Sequence, residues 1–116
     1  MIRIDISGGY EYQRKLIRRC VDYFVLTHMG YPVKFDLTIK LRSLRECYGY
    51  TEEVAVDSYK IAIDKSLCIR DLVSTMMHEL VHVKQYNTRR WLGDGEQEAC
   101  DLQFILADKM WKDNWI

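Results

Sequence analysis

Two of the chain's three histidines stand four residues apart, with a glutamate directly after the first, in His78-Glu79-Leu80-Val81-His82. No other feature narrows the fold as much. On a helix, positions i and i+4 lie about 40° apart around the axis and one turn along it, so both imidazoles project from one face. The flanking residues make that helix amphipathic. Leu72, Met76, Leu80 and Val83 form an apolar stripe, widened by Val73, Met77 and Val81. The pattern predicts a helix over 69–86. Two imidazoles so placed can hold one Zn²⁺, and Glu79 can reach a water there and accept its proton. In a chain of 116 residues, a chance H-E-x-x-H at average usage is rare, well below about one per cent.

Length predicts a single domain over 1–116. Apolar residues are 48% and charged residues 29%, with one Pro and six Gly, which excludes a disordered chain. Lys plus Arg and Asp plus Glu are 17 each, so bulk charge disfavours a nucleic-acid binder. No window holds the ~20 apolar residues of a membrane helix, and the first residues lack the apolar run of a secretory signal. Cys20, Cys47, Cys68 and Cys100 form no C-x-x-C pair. The expectation is four reduced thiols, mostly buried or half-buried, in a cytoplasmic protein.

Hydrophobic periodicity supplies the remaining elements. Residues 2–6 alternate as a short strand, ended by Ser7-Gly8-Gly9. Residues 10–29 read as a helix with Leu16, Ile17, Cys20, Val21, Phe24 and Val25 inward, stopped by Gly30 and Pro32. The basic run 14–19 reads as a solvated helix face in preference to a nucleic-acid patch. His28 reads as a partner of the helix C-terminus in preference to a metal ligand. Residues 33–41 alternate cleanly as a strand. Residues 42–53 read as a loop with at most a helical turn, and 54–56 and 59–63 as two strand segments. A polar turn over 87–95 leads to a last helix over 96–111, with Ala99, Leu102, Phe104, Ile105, Leu106 and Met110 available for packing. The order is strand, helix, three strands, two helices: an α+β domain with a small sheet.

A catalytic zinc takes three protein ligands and keeps one position open. Downstream of His82 the candidates are Asp94, Glu96, Glu98 and Asp101. If the last helix runs back antiparallel, its first turn returns Glu96 or Glu98 to His82.

The segment 75–99 resembles the zincin metallopeptidases whose third ligand is a glutamate, the gluzincins. It is most similar to small single-domain metallopeptidases encoded by bacteriophages. The shared layout is Ile63-Asp64, then His78-Glu79-Leu80-Val81-His82-Val83-Lys84-Gln85-Tyr86, then Trp91, then Glu96-Gln97-Glu98-Ala99. The resemblance implies a minimal zincin-like domain that hydrolyses protein or peptide substrates, in a host cytoplasm if the chain is phage-encoded. Glu96 has Ala99 three positions on, as the ligand glutamate has in several gluzincin groups, so it is preferred over Glu98. Related proteins often carry an acidic residue after that small one; here it is Cys100, read as a buried helix cysteine in preference to a ligand. The resemblance also implies that the strand before the active-site helix, 59–63, is the sheet edge that pairs with substrate.

Tyr86, one turn beyond His82 on the same face, is a candidate donor to a developing oxyanion, with Arg89, Arg90 and Tyr59 as alternatives. Two other functions compete with proteolysis by a zinc site. One is a zinc-stabilised interaction domain with little or no turnover. The other is a SprT-like, DNA-associated protease, whose local support is the basic run 14–19.

Overall fold

The computed structural model describes residues 2–30, 33–91 and 93–115. Seven main elements follow the predicted order: β1 (Ile2–Gly8), α1 (Glu11–Phe24), β2 (Phe35–Arg42), β3 (Gly49–Ala55), β4 (Ser58–Asp64), α2 (Ile69–Thr88) and α3 (Glu96–Lys112). They make an α+β fold of three helices and a four-stranded sheet among the described residues. None of the helices is long and apolar enough to cross a membrane. Pro32, read as part of the helix stop, lies outside the described residues.

The sheet order is β1-β2-β4-β3, with β1, β2 and β4 parallel and β3 antiparallel on the edge. Alternation decides its two faces. Phe35, Leu37, Ile39 and Leu41 of β2 and Tyr59, Ile61 and Ile63 of β4 are buried. Each such large side chain contributes about 1.5–3 kcal/mol on leaving water. The opposite face keeps Arg3, Asp5, Asp36 and Lys40 exposed. Its charges pair by register, Arg3 beside Asp36 and Glu52 opposite Lys60.

α1 buries five of the six residues that the periodicity selects, and the sixth, Val25, is buried just beyond its end. The helix runs without a break into a π-helical turn, Val25–Met29, where the Gly30 N–H donates to the Val25 carbonyl. His28 stands in the last turn of that segment. Its ring stacks on Phe24 and contacts Thr27 Oγ1, and burial, with Lys84 and Lys109 nearby, lowers its pKa.

Three expectations change. Residues 49–53 belong to strand β3, not to a loop. Their ladder to β4 runs from Gly49 opposite Ile63 to Ala55 opposite Ser58, with a bulge after Glu53. An edge strand with neither face fully covered has no need to alternate, so Glu52 and Glu53 hide it from a periodicity argument. For the same reason β4 is not the sheet edge: it lies between β2 and β3. On α3, Ala99, Leu106 and Met110 are buried and Leu102 half-buried, but Phe104 and Ile105 are exposed.

β3 reaches α2 because Gly49 has no side chain. A Cβ there would stand 2.8 Å from Ile63 Cδ1 and 3.0 Å from Thr75 Cγ2. Further along, Glu53 forms a two-pronged pair with Arg89, at 2.9 and 2.7 Å, where α2 ends in a left-handed residue (φ 58°). Gly49, Thr51 and Glu53 thus line up along α2.

Candidate metal centre

The first turn of α3 returns to the histidine face of α2. Gly95 adopts a left-handed conformation (φ 81°), and Asp94 Oδ1 accepts the Glu96 N–H at 3.0 Å. The Glu96 carboxylate then spans both imidazoles. His82 Nε2 lies 2.7 Å from Oε1 and His78 Nε2 lies 3.1 Å from Oε2. Of the acidic candidates, Glu96 is the one that meets both histidines. Glu98 accepts from Gln85 Nε2 at 2.8 Å, and Asp101 accepts from Gln97 at 2.8 Å.

The far nitrogens of the two rings are also held. His78 Nδ1 lies 2.8 Å from Gln103 Oε1, and His82 Nδ1 lies 2.8 Å from Gln85 Oε1. An amide oxygen only accepts, so each Nδ1 carries a proton and each Nε2 faces Glu96, with its lone pair available to a proton or a cation. Two lone pairs and a carboxylate aimed at one space call for positive charge between them, a proton or a divalent cation. Two imidazoles and one carboxylate are a zinc-type donor set, so the residues fit Zn²⁺.

Glu79 lies on the same helix and is 4% exposed. The Thr51 hydroxyl donates to its Oε1 at 2.8 Å. Burial pushes the Glu79 carboxyl above the usual carboxylate range. The Thr51 hydroxyl and the two histidines oppose that shift, while Glu96 adds to it. His78, Glu79 and His82 present ligand atoms within 4.8 Å of one another, and so do His78, Glu96 and Cys100. Cys100 is exposed, not buried in a helix interface. All four cysteines are free thiols, but only Cys20 is buried. The expectation of mostly buried or half-buried thiols therefore fails at Cys47 and Cys68, which lie between elements, and at Cys100, on the exposed side of α3.

A cleft of about 240 Å³ opens over these groups. β3 contributes Gly49, Tyr50 and Thr51 to its wall, α2 contributes His78, Glu79, His82 and Tyr86, and the start of α3 adds Asp94 and Glu96. Tyr86 is half-buried, stacked on Tyr59 at 6.2 Å and edge-on to Trp91 at 6.0 Å. The three alternatives to it do not line the cleft. Tyr59 is 1% exposed within the core, Arg89 is paired with Glu53, and Arg90 faces a different depression beside His28 and Lys84.

Sequence reasoning assigned no role to Thr51, Gln85 or Gln103. Gln85 did carry a signal, standing three residues after His82 on the same helix face. Thr51 fell in the segment read as a loop. Comparison of the chain with protein-family models, curated proteins and solved structures finds no match.

Proposed function

We propose that the chain is a zinc-dependent metallopeptidase of zincin type, with His78, His82 and Glu96 as ligands and Glu79 as general base. The observation that carries this reading is the convergence of both Nε2 atoms on one carboxylate beside a buried, hydrogen-bonded glutamate. Glu96 is preferred over Cys100 as third ligand because it touches both imidazoles. Bound there, Zn²⁺ supplies Lewis-acid polarisation of a carbonyl and acidifies a water. Glu79 takes a proton from the attacking water and returns it to the leaving amine as the C–N bond breaks. A carboxyl raised by burial suits that shuttle better than an ordinary one. Thr51 occupies Oε1 and leaves Oε2 to carry the proton. Tyr86 lines the cleft one turn beyond His82 and is the candidate donor to the oxyanion.

The substrate edge moves from β4 to β3. Among the described residues no strand lies on the outer side of β3, and its Gly49, Tyr50 and Thr51 line the cleft. An extended peptide pairing there would lie beside Glu79, held by backbone hydrogen bonds with little sequence preference. Glu79 favours an enzyme over a zinc-stabilised interaction domain, since a purely structural site has no use for a base. The basic run loses its weight for a DNA-associated protease. Arg14 donates to the Gly8 and Gly9 carbonyls, Lys15 and Arg18 pair with Glu11 and Asp22, and Arg19 donates to the Trp115 carbonyl. Four free thiols fit a reducing compartment such as a cytoplasm.

Hydrolysis of unfolded casein by the purified chain tests the reading. Activity should vanish with a chelator and return with zinc. Glu79→Gln should lower it by about 10²–10⁴-fold while keeping the metal. Undiminished hydrolysis by that variant would remove Glu79 from the mechanism.

A further inference from the structure

We infer that Gln85 is the positioning residue that decides which nitrogen of His82 faces the metal, and that Glu98 and Gly95 in turn fix Gln85. The inference rests on the metal-site reading above.

The Gln85 side chain is 4% exposed, and each of its polar atoms is committed. Nε2 donates to the Gly95 carbonyl at 3.0 Å and to Glu98 Oε1 at 2.8 Å. Oε1 lies 2.8 Å from His82 Nδ1. The two ends of an amide have nearly the same shape, so partners decide its orientation. Here two acceptors hold the NH₂ end. Turning the amide over would set its oxygen against a carbonyl and a carboxylate, and its NH₂ against Nδ1. The oxygen therefore faces His82, so Nδ1 is the nitrogen that donates to it and Nε2 is the one turned to Glu96.

The slot for this amide is built into the backbone. Gly95 sits at φ 81°, and a Cβ there would run into the Gln85 amide. The residue that lets α3 start thus also makes room for the group that orients His82. Glu96 and Glu98, one residue either side of Gln97, divide the work. Glu96 meets His82 on the metal side, and Glu98 grips it from behind through Gln85. One helical turn therefore holds the imidazole at both nitrogens. The orienting group is an amide, not a carboxylate, so it fixes the ring without adding negative charge.

Two measurements on the full chain test this. Long-range ¹H–¹⁵N correlation of the zinc-loaded protein should show His82 bound through Nε2 with its proton on Nδ1, and that signature should be lost in Gln85→Leu. Competition with a chelating dye should show zinc binding weakened about 10–100-fold in Gln85→Leu. Gln85→Glu alone should also weaken it, because two carboxylates then face each other. Combining Gln85→Glu with Glu98→Gln should restore it in part, since the new amide donates to the new carboxylate while the Gly95 carbonyl still faces an oxygen. Glu98 is exposed, so Glu98→Ala keeps the test open should Gln85→Leu fail to fold, with an expected loss of roughly threefold to tenfold. If His82→Ala loses zinc while folded Gln85→Leu and Glu98→Ala bind it like the wild type, the inference is overturned and the metal site stands. If His82→Ala binds zinc like the wild type, the metal-site reading falls and takes this inference with it.

Discussion

Glu79 has its side-chain donor on another element, the Thr51 hydroxyl of β3. The sequence separation is 28 residues, and the contact forms only once β3 docks on α2. Thr51→Val keeps the shape but leaves a buried carboxylate oxygen short of its donor, a penalty of about 1–3 kcal/mol on the ionised form. The working form of a general base is the ionised one. Removing a hydrogen bond that lowers its pKa therefore moves the acid limb of kcat/KM to higher pH. Thr51→Val should show that move with a loss of roughly tenfold near neutrality, and Thr51→Ser should not. An unmoved limb in Thr51→Val would make the contact incidental. His78, Glu79 and His82 are legible in the sequence because one helix, formed by local periodicity, brings them together. Thr51 and Gln103 are not, because their partners lie 28 and 25 residues away and depend on how elements pack.

Among the elements, those that bury a continuous stripe are legible and those that do not are hidden. α1, α2 and β2 each read correctly from period, since a core face requires it. β3 lacks that requirement, and its two glutamates serve other ends: Glu53 ties the strand to Arg89, and Glu52 faces Lys60. The end of α1 shows a second limit. Its length follows from the apolar pattern, but the widened π-helical turn at Val25–Met29 does not. That turn carries His28, whose pKa is lowered by burial and by Lys84 and Lys109. A histidine held below its unfolded pKa binds its proton later in the folded state than in the unfolded one. The folded chain should thus lose stability as pH falls below the ordinary histidine range of about 6.5. Urea unfolding should show that acid-side loss reduced in His28→Gln, and equal slopes in both proteins would contradict it.

For the molecule as a whole, the candidate ligands join two helices that also meet through the Gln85–Glu98 and His78–Gln103 hydrogen bonds, with Ala99, Leu106 and Met110 buried on α3. A metal held by His78 and His82 on α2 and Glu96 on α3 therefore clamps α3 to the rest of the fold. Binding to the folded chain alone stabilises it by about 2.7 kcal/mol at a hundredfold excess over Kd. For a domain near this size that is a rise of roughly 10 °C in Tm. The rise should appear in the wild type and in Glu79→Gln, and be absent from Glu96→Ala. A second anchor holds the other end of α3. The Tyr23 hydroxyl donates to Asp113 at 2.8 Å, and burial, helped by Asp113, pushes that phenol up to about 12. This contribution persists through neutral pH and is lost only as pH rises from the unfolded value of about 10 through 12. Tyr23→Phe should unfold more readily at pH 8 by about 1 kcal/mol, and no difference would discount the anchor.

The central claim is that two histidines of one helix and a glutamate of the next hold a single zinc. Plasma mass spectrometry of the purified chain, wild type beside His82→Ala and Glu96→Ala, tests it most directly. The account predicts about one zinc per wild-type chain and near zero in both variants. No zinc in the wild type after it is supplied, or equal zinc in all three proteins, would contradict it.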